Sequence, residues 1–170
     1  MSTMPKSPFT DVVAGSWYFD AALYASSHNL MLGTSPTEFS PNITMTRGML
    51  VTVLYRMNGS PSVSGKTPFT DVRTDEWYSA AVLWAYQNGI VTGMSDTTFA
   101  PINNVTREQM ATILFRYTKT AAPDKAKASA DLSGFADAGS VNDWAVDAMR
   151  WAVGQKLIAG ITLEQSVYLQ

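Results

Sequence analysis

Apolar residues recur along this chain at helical spacing in short stretches, separated at regular intervals by polar loops that carry glycine and proline. Tyr18, Ala21, Ala22 and Ala25 fall at i, i+3, i+4 and i+7 and predict one face of a helix; Tyr78, Ala81, Val82 and Ala85 repeat that face 60 residues later. Their small side chains predict close approach of a neighbouring helix. Asn29 and Gly89 stand where a left-handed residue ends a helix. A short apolar segment closed by glycine follows, at Leu30 to Gly33, Ile90 to Gly93 and Leu157 to Gly160, and then a loop with Phe39-x-Pro41 or Phe99-x-Pro101. A second helix starts at Thr46 or Thr106, both good N-caps, with Met49 or Leu50, Val53, Leu54 and Met57 on one face of the first copy and Met110, Ile113, Leu114 and Tyr117 on the second. Thr106 and Gln109 form a capping box, and Met49 is expected to remove the reciprocal half of the earlier one.

The pattern is a sequence repeat. At a shift of 60, Pro8-Phe9-Thr10-Asp11-Val12 meets Pro68-Phe69-Thr70-Asp71-Val72, and the register holds without a gap through Trp17-Tyr18, Thr46-Arg47 and Arg56. Roughly 20 of about 50 positions are identical, far above chance for an unrelated pair. A third copy begins at Gly134-Phe135-Ala136-Asp137 and continues through Trp144, Ala148, Trp151-Ala152 and Gly160, with one inserted residue before Trp144; Ser166 to Leu169 resembles Thr97 to Ala100. The organisation is a short extension at 1–7, repeats at 8–57 and 68–117, linkers at 58–67 and 118–133, and a third repeat at 134–170 whose second half is missing.

Composition narrows the functional classes. With 46% hydrophobic and 15% charged residues the chain buries a real core, and no apolar run approaches the roughly 18 residues that span a bilayer, so no membrane insertion is expected. A net charge of −2 gives no general attraction to nucleic acid. There is no cysteine, and the single histidine, His28, has no counterpart in the other repeats, so neither a metal site nor a cofactor is expected. Gly59 to Thr67 looks like a phosphate-binding loop, but it has five residues between its glycines where four are needed and runs into Pro68 where the phosphate-cradling helix should start. It reads as a linker. No acid/base pair or nucleophile with its base stands at recognisable spacing, so no catalytic residue is assigned.

Arg47 and Arg107 carry the sharpest chemistry. A cation in the first turn opposes the helix dipole, and its recurrence at equivalent places suggests a site where free first-turn N–H groups and a guanidinium jointly hold an anion. The alternative is a surface arginine, or one paired with a nearby carboxylate such as Asp11 or Asp71. Arg56 and Arg116, near the other helix ends, read as complements of the dipole. Asp11, Asp71 and Asp137 precede the first helix of each copy and read as turn or cap residues that receive backbone N–H groups, with contact to a ligand hydroxyl open from the same position. Most of the tryptophans read as packing, with one or two, such as Trp77, facing a groove where they stack on a sugar.

The ensemble of Phe-x-Asp-Val, Trp-Tyr, spaced alanines, glycine after a short apolar segment, Phe-x-Pro and Thr-Arg at a helix head resembles the S-layer homology repeat. The resemblance covers 8–57 and 68–117 fully and 134–170 in part. It implies an all-α fold of tandem helix-loop-helix repeats in a pseudo-trimeric helical bundle, here partly incomplete. It also implies a noncatalytic, extracellular module that anchors proteins to the bacterial cell wall by binding secondary cell wall polysaccharide, often pyruvylated, in grooves between repeats. The family's ligand-binding arginine maps onto Arg47 and Arg107, and its groove glycine onto Gly33, Gly93 and Gly160. Both motifs, Thr46-Arg47-Gly48-Met49 and Thr106-Arg107-Glu108-Gln109, lack the family's final glutamate, and the third is missing. Either the chain is part of a longer one, or a homo-oligomer forms by exchange of the missing helix. A protein-interaction or assembly module using the same surfaces is the competing reading.

Overall fold

The structure, a computed structural model, describes residues 7–163 and 166–168, with side-chain surroundings for residues 7–160. Each full repeat is a pair of helices: α1 (Phe19–Ser27) and α2 (Arg47–Met57), then α3 (Ser79–Gln87) and α4 (Arg107–Ala121). The third copy supplies α5 (Val146–Gly154), followed by a small antiparallel hairpin, β1 (Ile161–Leu163) and β2 (Ser166–Tyr168). The chain is therefore all-α as expected, apart from that hairpin. Part of the expected match between Ser166–Leu169 and Thr97–Ala100 lies outside the described residues.

The helices pair across repeats: α2 packs on α3, and α4 on α5. The main core accordingly joins Leu50, Val51 and Leu54 of α2 to Ala81, Val82 and Ala85 of α3, with Phe69 and Phe99 from the loops. A second core joins Ala111 and Phe115 of α4 to Ala148, Met149, Trp151 and Ala152 of α5. Alanine at the α3 and α5 contact positions lets the helix backbones approach closely, as the sequence predicts. Phe9, Val12, Phe19 and Ala22 form only a small separate cluster under α1. The predicted α1 face departs from expectation here, because Ala21 is exposed while its counterparts Ala81 and Ala148 are buried.

Two further differences have local causes. The segment expected as a linker at 118–133 is packed: α4 runs on to Ala121, Leu132 is buried, and the Trp151 indole N–H donates to the Lys125 carbonyl at 2.8 Å. Its alanine and lysine content favours helix as much as linker. Met49 does not abolish the first capping box, since its Sδ accepts from the Thr46 N–H at 3.5 Å while the Thr46 hydroxyl accepts from the Met49 N–H at 3.2 Å. Sulfur is a weak acceptor, but it occupies the place of the missing carboxylate.

In the two full repeats the turn after the apolar segment needs glycine. Gly93 has φ +86°, and a Cβ there would stand 2.5 Å from both the Phe69 ring and the Ser95 carbonyl oxygen; Gly33, at φ +81°, is enclosed in the same way by Phe9 and Glu38. Left-handed strain of about 1–3 kcal/mol plus this clash predicts that Gly93→Ala lowers unfolding free energy by roughly 3 kcal/mol or more. Urea unfolding of the variant beside the parent measures it.

Candidate functional site

The seam between the first two repeats is built on the head of α2. The Arg47 amide donates to the Asn103 carbonyl at 2.9 Å and the Gly48 amide to the Pro101 carbonyl at 2.8 Å, while the Val105 amide returns a bond to the Met45 carbonyl at 3.0 Å. Gly48 permits the approach, since a Cβ on it would lie 2.9 Å from the Pro101 oxygen. The Arg47 side chain lies buried, 5% exposed, with Nε donating to the Phe99 carbonyl at 2.8 Å and the guanidinium 4.7 Å from the centre of the Phe99 ring. Its first-turn N–H groups are thus not free to hold an anion, which corrects that part of the sequence expectation: carbonyls of the next repeat have taken them.

Asp71 completes the seam from beneath. Its carboxylate accepts from the Phe99 and Ala100 amides at 2.9 and 2.7 Å and holds Ala100 at φ 59°, a conformation an alanine rarely adopts unaided. Asp11 does the same for the Phe39 and Ser40 amides at 2.8 and 2.7 Å. Both aspartates therefore receive backbone N–H groups, the turn role anticipated from sequence. The bond from Phe39 pulls the Asp11 carboxyl below its ordinary pKa, opposed by desolvation and helped by the bond from Ser40. Burial lowers the Arg47 pKa and Asp71 raises it; a guanidinium stays charged at any ordinary pH.

In front of this seam lies a groove of about 530 Å³, between the loop of repeat 1 and α2. Gly33 and Thr34 form one wall, Met45, Met49 and Val53 another, and Trp77 from repeat 2 closes the end with 56% of its surface exposed. Arg47 does not line it. The cation that does is Arg56, whose Nη1 donates to the Leu30 carbonyl at 3.1 Å. Arg56 is thus more than a complement to the helix dipole, and Arg116, bonded to the Thr92 hydroxyl at 3.3 Å, holds the equivalent place in repeat 2. Sequence reasoning missed Arg56 as a groove residue, although its exact recurrence as Arg116 was the available signal. The methionines Met31, Met45 and Met49 were not anticipated as groove residues either, Met49 being read as a helix-face residue; they give the groove an adaptable apolar lining.

The remaining candidates separate into two places. Arg107 lines a smaller cavity of about 180 Å³ at the head of α4 together with Glu108 and Asp137. Its Nη2 donates to the Ala159 carbonyl at 2.6 Å, and its Nε is buried without a hydrogen bond among the described residues. Gly93 sits in the turn of repeat 2, beneath Phe69, and Gly160 directly precedes β1. Among the described residues no cluster of histidine, cysteine, aspartate or glutamate could hold a metal ion, and no helix is long and apolar enough to cross a membrane.

Linked helical repeats, a seam sealed by an arginine-headed helix, and a groove in front of that seam define a repeat-built, groove-bearing module. The pattern that describes the S-layer homology domain matches residues 8–48 and 68–111, and the chain belongs to that family. Such domains are noncatalytic anchoring modules of bacterial cell-surface proteins. The chain is 33% identical over 155 residues, 91% of its length, to an endoglucanase of Bacillus sp. (strain KSM-635), but covers only 16% of that protein. It is 33% identical over 128 residues to the surface-layer 125 kDa protein of Lysinibacillus sphaericus, covering 75% of this chain and 10% of the relative. With the surface layer protein of Brevibacillus choshinensis it shares 31% identity over 91 residues, 51% of this chain and 8% of the relative. The chain spans 16% or less of the length of these relatives, so the activity named for the endoglucanase does not transfer to this segment.

Two outcomes test the seam and the matching aspartate turn of repeat 1. Arg47→Ala removes a charged hydrogen bond and a buried cation–π contact, and an unfolding free energy lower by about 2–4 kcal/mol is expected in urea. Asp11 has a folded pKa below its unfolded value of about 3.9, so its contribution is complete above that pH and is lost as pH falls through the folded value. Unfolding midpoints measured from pH 5 to about pH 2 should fall less steeply in Asp11→Asn than in the parent.

Proposed function

We propose that this segment anchors the protein carrying it to the bacterial cell wall by holding secondary cell wall polysaccharide in the groove between its repeats. The observation that carries this reading is the 530 Å³ groove itself, apolar along its walls, closed by an exposed tryptophan and furnished with one cation. A sugar ring presents an apolar face that stacks on Trp77, and methyl or acetal groups suit the methionine wall. A pyruvate ketal adds a carboxylate, for which Arg56 still offers donors beyond its bond to Leu30.

Arg47 serves this site from behind, by fixing α2, which supplies Met49, Val53 and Arg56 to the groove, and Gly33 shapes the turn in its wall. Arg107, with Asp137 beside it, is the corresponding cation at the head of α4, where its Nε, unbonded among the described residues, leaves donor capacity for a second anionic group. Gly93 is the turn position of repeat 2, and Gly160 stands at the matching sequence position of the third copy.

The test is binding of purified wall polysaccharide before and after mild acid removal of ketal pyruvate. A charged hydrogen bond contributes about 1.5–3 kcal/mol, so Arg56→Ala should weaken binding roughly ten- to hundredfold with little change in melting temperature. Loss of pyruvate should weaken the parent to a similar degree. Equal binding of parent and variant to the native polymer would overturn the assignment of Arg56.

A further inference from the structure

The chain holds nine methionines and no cysteine, so thioethers are the groups that a mild oxidant meets first. They are unevenly placed. Met149 is 2% exposed within the second core, and Met57 and Met94 are exposed, whereas Met31, Met45 and Met49 stand half-buried in the wall of the groove. Of those three, Met49 alone has a polar neighbour for its sulfur among the described residues: the Thr46 amide donates to its Sδ at 3.5 Å. One side chain therefore serves two surfaces, capping the head of α2 and supplying part of the apolar wall of the groove.

Repeat 2 shows what an oxygen does at the same position. Gln109 is the counterpart of Met49, and its Oε1 accepts from the Thr106 amide at 3.3 Å while the Thr106 hydroxyl accepts from the Gln109 amide at 3.2 Å. The two capping boxes are otherwise alike. An oxygen carried by residue 49 thus has a place prepared for it at the helix head, where the positive end of the dipole favours an acceptor. Met31 and Met45 have no such place, and an oxygen added to Met149 would enter an apolar core.

We propose that Met49 is a site of reversible oxidation by hydroperoxides, and that its sulfoxide loosens the grip of the groove on polysaccharide while leaving the α2 head folded. This rests on the assignment of the groove to polysaccharide. A lone pair of the thioether attacks one peroxide oxygen, the S–O bond forms as the O–O bond breaks, and sulfur gives up two electrons; with hydrogen peroxide, the departing hydroxide takes the proton from the transferred oxygen and leaves as water. Turned to the Thr46 amide, the new oxygen keeps the cap as Gln109 does. The wall that Met49 shares with Met45 and Val53 gains a polar, hydrated S–O group, and the apolar face of a sugar must displace that water to seat there. A dithiol-dependent sulfoxide reductase restores the thioether, the oxygen leaving as water.

The test treats the intact chain with graded hydrogen peroxide and reads each site in tryptic peptides, which separate Met49 (48–56), Met57 (57–66) and Met149 (128–150). Expected are Met49 sulfoxide formed within about tenfold of the rate at exposed Met57, Met149 unreacted over the same period, and an unchanged melting temperature. Binding of purified wall polysaccharide should fall about tenfold on oxidation, with the same fall in untreated Met49→Gln, little response to peroxide in Met49→Leu, and recovery of the parent after reductase treatment. The proposal is overturned if Met49 stays unreacted beside Met149, if the oxidised parent binds as the untreated one does, if Met49→Leu responds as fully as the parent, or if oxidation lowers the melting temperature along with affinity. Absence of binding by the untreated parent would instead overturn the polysaccharide reading, and this release with it.

Discussion

A guanidinium placed across a repeat boundary is the constraint on which the rest of this structure depends. Arg47 begins α2 in repeat 1, yet its side chain ends on the Phe99 carbonyl and ring of repeat 2. The cost of burying that charge is offset by a carbonyl, an aromatic face and the field of Asp71, and the bond fixes where α2 lies. With α2 fixed, its apolar side covers α3 and the loop at 99–105 becomes rigid. Residues of α2 and Trp77, which stands two residues ahead of α3, line the same groove, so that surface depends on how the seam sets α2 against α3.

This arrangement resolves the oddity of an arginine in a helix's first turn. Alone, a cation there is mildly disfavoured by the helix dipole. Here the positive end of α2 faces the carbonyls of Pro101 and Asn103, and the guanidinium faces Phe99, so three oxygens of one loop meet three donors of one helix head. The aspartate below supplies the negative charge and holds the loop in its left-handed bend. Repeats that each need the next one's loop to satisfy a helix head form a directional chain, which is why interior surfaces are covered while α1 is not.

Much of this was legible in the sequence, for reasons that differ by residue. The period of 60 located the helices, the turn glycines and the aspartate caps, because each depends on local chemistry that repeats with the residues. The family assignment followed from the same repeat. What the sequence could not show was coverage: Ala21 and Ala81 are identical letters in identical contexts, and only the presence of α2 on α3 separates them. Arg47 and Arg56 were likewise distinguishable only in three dimensions, since both recur exactly, yet one turns into the seam and the other into the groove. Met49 escaped as a cap because a thioether is not normally counted among acceptors.

The most direct measurement of the seam is native-state amide hydrogen exchange at Gly48 and Val105, compared with Met45. The Gly48 and Val105 amides cross the repeat boundary, whereas the Met45 amide is unpaired among the described residues. If the α2 head holds the repeats together, Gly48 and Val105 are protected to nearly the free energy of global unfolding, Met45 exchanges freely, and Arg47→Ala lowers both protections together. Exchange of Gly48 and Val105 as fast as Met45, while the cores of α3 and α4 remain protected, would contradict the account.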